Sequence, residues 1–159
     1  MRMKRTDLDD FDLAILRILQ EDNTTPQREI GEQVHLSAAA VQRRIRRMEE
    51  AGVIRANVSV LDPASVGHPI TIFVEVEVES EQYGKIDETK RLFRECPEVQ
   101  QCYYVTGEMD FILVILVPTM VAYEELTRRL FFENDNVRRF RTFVTMDRVK
   151  TTLRIPLPG

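Results

Sequence analysis

The chain is poor in the residues on which many functions depend. Cys96 and Cys102 are the only two cysteines in 159 residues, too few for a disulfide framework, so reduced thiols are the simpler expectation. The two histidines, His35 and His68, stand without a cysteine or carboxylate at ligand spacing, which argues against a zinc site. No uninterrupted apolar run approaches the ~20 residues that a membrane helix needs. The N-terminal MRMKRTDLDD has no signal-peptide core and leads directly into an amphipathic segment, so a cytoplasmic protein with no membrane partner is expected. G-x-S-x-G, P-loop and G-x-G-x-x-G patterns are all missing. With neither a nucleophile elbow nor a phosphate cradle, the chain reads as a non-enzyme that carries no cofactor.

What is present is unevenly spread charge. The formal net charge is -4, but residues 1–60 hold ten basic and ten acidic groups, so residues 61–159 carry the whole deficit. Within residues 36–55, five arginines face only Glu49 and Glu50, a local net of +3. Salt screens distant charges, and phosphate neutralisation depends on the groups at the contact. An acidic whole therefore does not exclude a nucleic-acid partner.

The N-terminal third reads as three short helices. Leu8, Phe11, Ile15, Leu16 and Leu19 recur at helical spacing behind Asp9, a suitable N-cap. In TTPQREIGEQV, Thr25 can cap a second helix with Pro26 in its first turn, and Ile30 and Val34 form a brief apolar stripe. After a tight connection at His35 and Leu36, Ser37 caps a third helix that stops at Gly52, with Val53 placed for the accompanying apolar contact. Three short helices with a tight turn before the third form a helix-turn-helix pattern. The strand-like VIRANVSVL follows, then DPASVGHP as a hinge, giving expected boundaries of 1–55, 56–69 and 70–159.

Beyond the hinge the period changes to two. In ITIFVEVEVE, Ile72, Val74, Val76 and Val78 share one face, while Phe73, Glu75, Glu77 and Glu79 share the other and should meet solvent or a partner subunit. A helix carrying Ile86, Lys90 and Phe93 ends at Cys96 and Pro97, strands over 99–105 and 111–117 flank the turn TGEMD, a helix spans 120–132, and an alternating strand runs over 137–150. The predicted class is α+β, a helix-turn-helix unit followed by a ferredoxin-like βαββαβ unit.

On the third helix, Val41, Ile45 and Met48 cluster on the side that must pack inward. Arg43, Arg46 and Arg47 should project roughly opposite, beside Gln42 and Ala39, whereas Arg44 lies on the flank and suits an intramolecular ion pair. Ser37, Ala38 and Ala39 are small enough to let the helix N-terminus enter a major groove, where Gln pairs with adenine and Arg with guanine or phosphate. Acidic residues enter this helix only after Met48. A basic helix face is often no more than solvated surface, but its place as third helix of such a unit favours contact with double-stranded DNA.

These residues, LDDFDLAILRILQEDNTTPQREIGEQVHLSAAAVQRRIRRMEEAGVI with the later TGEMD turn and terminal VKTTLRIPLP, resemble the Lrp/AsnC family of transcription regulators over nearly the whole chain. The resemblance implies a winged or simple helix-turn-helix, a hinge strand, and a ferredoxin-like domain that builds homodimers and often octamers. It further implies an amino-acid effector bound between subunits near Thr106, Gly107, Glu108, Met109 and Asp110, with Tyr104 and Thr142 as candidate walls. Turn N–H groups can hold an α-carboxylate, an acidic group an α-ammonium, and Gly107 allows close approach. The residues alone read equally well as a plain hairpin turn, and Met109 as simple packing. Gly31 and Asn57 stand where relatives more often carry alanine and a larger residue such as tyrosine, so packing of the second helix and the hinge should differ. Three rivals remain open: an amino-acid sensor with a vestigial helix-turn-helix, an architectural DNA protein of little specificity, and an enzyme akin to the sirohaem decarboxylases, which the two isolated histidines support poorly.

Overall fold

The computed structural model describes residues 7–158. Packing divides them into two units, one formed by 7–59 together with 151–158 and the other by 60–150. The C-terminal segment assigned from sequence to the second half thus packs with the helical unit.

In the helical unit, α1 (Asp10–Glu21) opens with a reciprocal cap: the Asp12 N–H donates to the Asp9 carboxylate and the Asp9 N–H to that of Asp12. Helix α2 (Gln27–Val34) starts one residue later than the sequence suggested, with Pro26 as N-cap. The Thr25 hydroxyl donates instead to the Asp22 carbonyl, 2.8 Å away. His35 ends α2 in the left-handed region at φ 58°, and the chain folds back so closely that a Cβ on Gly31 would stand 2.4 Å from the Leu36 carbonyl oxygen. Glycine is demanded there by the turn. Helix α3 (Ala38–Glu50) is capped by the Ser37 hydroxyl, which accepts from the Ala40 N–H at 3.2 Å, and it ends with Gly52 at φ 72° and the Val53 N–H donating to the Met48 carbonyl. Ile15, Leu16, Ile30, Val34, Val41 and Met48 form the core, with Val53 packed against it.

The segment 53–61 is not a strand, contrary to its alternating pattern. Val58, Val60 and Leu61 are exposed, and among the described residues no strand pairs with them. Alternation specifies a strand only when a sheet edge supplies the hydrogen bonds. Asn57 lies against α3, its amide donating to Glu49 at 3.0 Å.

The second unit is a four-stranded antiparallel sheet in the order β2-β3-β1-β4, made of β1 (Ile70–Val78), β2 (Val99–Tyr104), β3 (Phe111–Val117) and β4 (Val137–Val144). Strand β4 stops six residues short of the expected end. Helices α4 (Tyr83–Glu95) and α5 (Met120–Thr127) cover one face, and α5 continues as a π-helical turn over Arg128–Phe132. The alternating valines of β1 meet Phe111, Leu113 and Ile115 of β3, and Ile86, Phe93, Leu126 and Leu130 close the core from the helix side. This is the ferredoxin-like arrangement expected from sequence. On the opposite face Glu77 pairs with Arg138 and Arg139, and Glu75 with Arg141, so the strand glutamates are held by the edge strand beside them. Among the described residues no helix is long and apolar enough to cross a membrane.

Candidate DNA interface and ligand-binding turn

Ser37, Ala38, Ala39, Gln42, Arg43, Arg46 and Arg47 are all exposed, as a face that enters a groove requires. Their guanidinium groups are not equivalent. Among the described residues no carboxylate lies within ion-pair distance of Arg43, which leaves its fork free for a base edge or phosphate. Arg46 reaches one turn on, Nε donating to Glu50 Oε1 at 2.9 Å, but both groups are well exposed, and such a pair contributes only about 0.3–0.5 kcal/mol and opens easily.

Arg47 departs from the sequence reading. It does not project freely beside Arg43, because its guanidinium donates to Asp12 on α1. Asp12 is fully buried, and its other oxygen accepts from Arg44 at 2.9 Å. Arg44 also donates to Asp9 at 2.7 Å and lies over the Phe11 ring, 5.3 Å from its centroid, which is the intramolecular pairing foreseen for it. Hydrogen bonding from the Asp12 N–H, and next from Arg44, holds the Asp9 carboxyl below the usual carboxylate range, while Asp9 and Asp12 together raise Arg44. Two arginines therefore fasten α3 to α1, while among the described residues Arg43 has no ion-pair partner and Arg46 only an exposed one.

Asp12 was missed by the sequence reading, although the signal was there. It occupies an i+4 step from Leu8 and an i−3 step from Ile15, a charge in the middle of an apolar stripe. Such a group is buried only with partners, and the surplus of arginines on α3 supplies them.

In the second unit the TGEMD turn closes β2 onto β3. Gly107 has φ 131°, a conformation that side-chain-bearing residues rarely adopt, and a Cβ there would meet nothing within 4 Å. Asp110 is engaged by the fold: its carboxylate accepts from the Val78 N–H at 2.7 Å, its N–H donates to the Val76 carbonyl, and its own carbonyl accepts from the Val105 N–H. Met109 is buried, whereas Thr106 and Glu108 are exposed, so Glu108 is the free acidic group of the turn. Tyr104 flanks the turn, packed on Phe111 with the Lys90 ammonium 4.5 Å from its ring centroid.

Thr142 is not brought to this turn. It lies on β4, at the opposite edge of the sheet from Tyr104 on β2, about 14 Å away at the ordinary strand spacing. Its hydroxyl is bonded to that of Tyr123 at 2.5 Å; burial pushes the Tyr123 phenol up, and the Thr142 bond offsets part of that rise.

With both sites in view, comparison with known proteins supplies the context. Residues 8–55 match the model for winged helix-turn-helix DNA-binding domains, and residues 71–155 match that for the Lrp/AsnC ligand binding domain. The chain is 43% identical over 151 residues to an HTH-type transcriptional regulator of Sinorhizobium fredii, covering 95% of this chain and 89% of that one. It is 34% identical to the glutamate uptake regulatory protein of Zymomonas mobilis, over 95% of this chain and 92% of the relative. Among solved structures, an AsnC family transcriptional regulator from Agrobacterium tumefaciens superposes with a TM-score of 0.88 at 34% identity, covering 94% of this chain and 97% of the other. A Neisseria meningitidis transcriptional regulator in complex with L-methionine superposes with a TM-score of 0.87 at 27% identity and the same coverage.

Proposed function

The chain belongs to the Lrp/AsnC family of transcriptional regulators, and from that premise we propose that it reads its operators through Gln42, Arg43 and Arg46 of α3 and changes its DNA binding when an amino acid occupies the ligand-binding unit. The observation that carries the DNA reading is the division of the arginines: Arg44 and Arg47 hold α3 in place, while Arg43 has no ion-pair partner among the described residues and Arg46 is held only by an exposed one. Ser37, Ala38 and Ala39 let the helix N-terminus approach the bases. Arg47, half-exposed though bound to Asp12, contributes to phosphate from its outer edge.

For the effector, the reading rests on Gly107 and the exposed Thr106 and Glu108, with Tyr104 at the turn's flank and Met109 beneath it. Backbone N–H groups of the turn would receive the carboxylate and Glu108 the ammonium, with Asp110 shaping the turn from behind. Thr142 reaches such a site only if a second protomer brings its β4 edge there. A homodimer is favoured by the sheet face away from the helices, where Phe73, Tyr103 and Phe143 remain 42–54% exposed. An antiparallel sheet can leave one face to water, but these half-exposed aromatic rings favour burial, and a second copy presents the same face to receive them. Further assembly to an octamer and a cytoplasmic location complete the proposal, with regulation rather than catalysis as the activity.

Binding of the purified protein to DNA from upstream of its own gene, against scrambled DNA at fixed salt and with a panel of amino acids that includes L-methionine, tests both halves. Preference for the upstream DNA that one amino acid alters is the expected result. Equal binding to both DNAs would favour an architectural role, and no binding at any salt would refute the interface. Light scattering on the same sample reads the assembly.

A further inference from the structure

The helical unit is small. Its core has six buried apolar side chains, and units of this size are marginal because they bury a low fraction of their surface. The far end of the chain adds to it. Leu157 packs against the same core, which residues of α1, α2 and α3 build.

The polar contacts of this tail converge on one stretch of α1. The carboxamide of Gln20 grips the backbone of Ile155 at both groups, its Oε1 accepting from the N–H at 2.8 Å and its Nε2 donating to the carbonyl at 2.9 Å. Arg17 donates to the carbonyl of Pro158, and Glu21 pairs with Arg154. Gln20 therefore acts as a strand edge would, satisfying both main-chain groups of one extended residue. Three side chains within five positions of one helix and one apolar anchor are thus spent on a segment more than 130 residues away in sequence. All of these polar contacts leave from side chains in the last two turns of α1, the helix that carries Asp12.

We infer that residues 151–158 are a clasp that completes the DNA-binding unit, and that α1, Asp12 and the two arginines of α3 pass its hold on to the recognition helix. The chain accordingly runs between its two units twice, once near residue 60 and again near residue 150. The clasp gives the DNA-binding unit a second covalent connection to the ligand-binding unit, through the end of the chain that follows β4.

Hydrogen exchange on the full-length protein and on a variant ending at Lys150 tests the inference, with DNA affinity measured alongside. Loss of the clasp should speed exchange of the amides in α1 by at least about tenfold, leave those of β1 and β3 unchanged, and weaken DNA binding several-fold. Gln20→Ala and Leu157→Asp in the full chain should move both readouts in the same direction, and they carry the test if the shortened chain does not accumulate. Unchanged α1 exchange in these variants would overturn the clasp whatever the DNA result. Faster α1 exchange with unchanged DNA affinity would overturn the link to the recognition helix. Because the exchange readout needs neither operator nor effector, its failure is distinct from failure of the proposed function.

Discussion

Asp12→Ala is the most informative single change in the helical unit. The wild-type carboxylate is fully buried and holds three donors: Arg44 at 2.9 Å, Arg47, and the Asp9 N–H at 3.1 Å. Breaking a buried ion pair by removing one partner costs about 3–5 kcal/mol when the other charge is left stranded. Here that figure must be discounted, because Arg47 is 52% exposed, and Arg44 is 23% exposed and keeps Asp9. Loss of half the reciprocal cap restores roughly 1 kcal/mol of cost. The net expectation is a loss of about 2–4 kcal/mol, a large part of the ~5–15 kcal/mol available to a whole domain. For a unit of this size that lowers the melting temperature by roughly 10 °C or more. Because the chain divides into two compact units, a single global transition need not report on one of them, and the loss should be read from denaturant-dependent exchange of α1 and α3 amides. A second measurement isolates the mechanism: in the double variant with Arg47→Ala, the costs should fall short of additive by about 0.5–3 kcal/mol. A loss below about 0.5 kcal/mol would refute the view that Asp12 fastens the recognition helix.

Arg43→Ala should weaken DNA binding and reduce the salt slope by about 0.9, the share of one phosphate contact, with the oligomer intact. Arg47→Ala should weaken binding with a smaller change in slope, since Asp12 already neutralises part of that charge; equal slope changes for the two would show that Arg47 acts as a free groove residue. Gly31→Ala gains ~1 kcal/mol of helix propensity yet should destabilise by about 1–3 kcal/mol net, because the new Cβ falls 2.4 Å from a backbone oxygen, a result thermal melts can check. The lowered Asp9 carboxyl sets a pH dependence: its contribution is fully present above the ordinary aspartate value of about 4 and is lost as pH falls through the lower folded value. Acid titration of α1 and α3 amide protection should therefore be shallower below pH ~4 in Asp9→Asn than in the wild type.

Elements whose signal is local were legible in the sequence. Periodicity gave the three helices and the buried stripe of β1, and chemistry gave the caps at Asp9 and Ser37, since a cap depends on residues within one turn of it. What escaped depends on partners distant along the chain. The pattern in 53–61 promised a strand, but among the described residues no strand lies beside it. Helical geometry correctly separated Arg44 from Arg43, yet put Arg47 on the outer face, because a helical wheel does not register that a long arginine can bend back to a carboxylate on another helix. Thr142 was grouped with the turn by resemblance, and only the strand order shows that Tyr104 and Thr142 lie on opposite edges. Nor does any pattern in α1 announce that Gln20 binds the backbone of Ile155.

Residues 36–55 carry five arginines against two glutamates, but Asp9 and Asp12 lie within bonding distance of Arg44 and Arg47, which reduces the local excess from +3 to +1. Counterion release scales with the phosphates neutralised, so one such unit with Arg43 fully free and Arg46 weakly held would bind DNA weakly and with a shallow salt dependence. Two units joined in the proposed dimer would convert the second contact into an intramolecular event and add a second set of phosphates at a half-site one helical turn away or a multiple of it. The ties from Arg44 and Arg47 to α1 serve that gain, since avidity needs each α3 held in a geometry that lets both half-sites be engaged at once. The salt slope of the intact assembly should accordingly be about twice that of a chain made monomeric by Phe73→Glu on the open sheet face, and equal slopes would show that a single helix-turn-helix unit makes the whole contact.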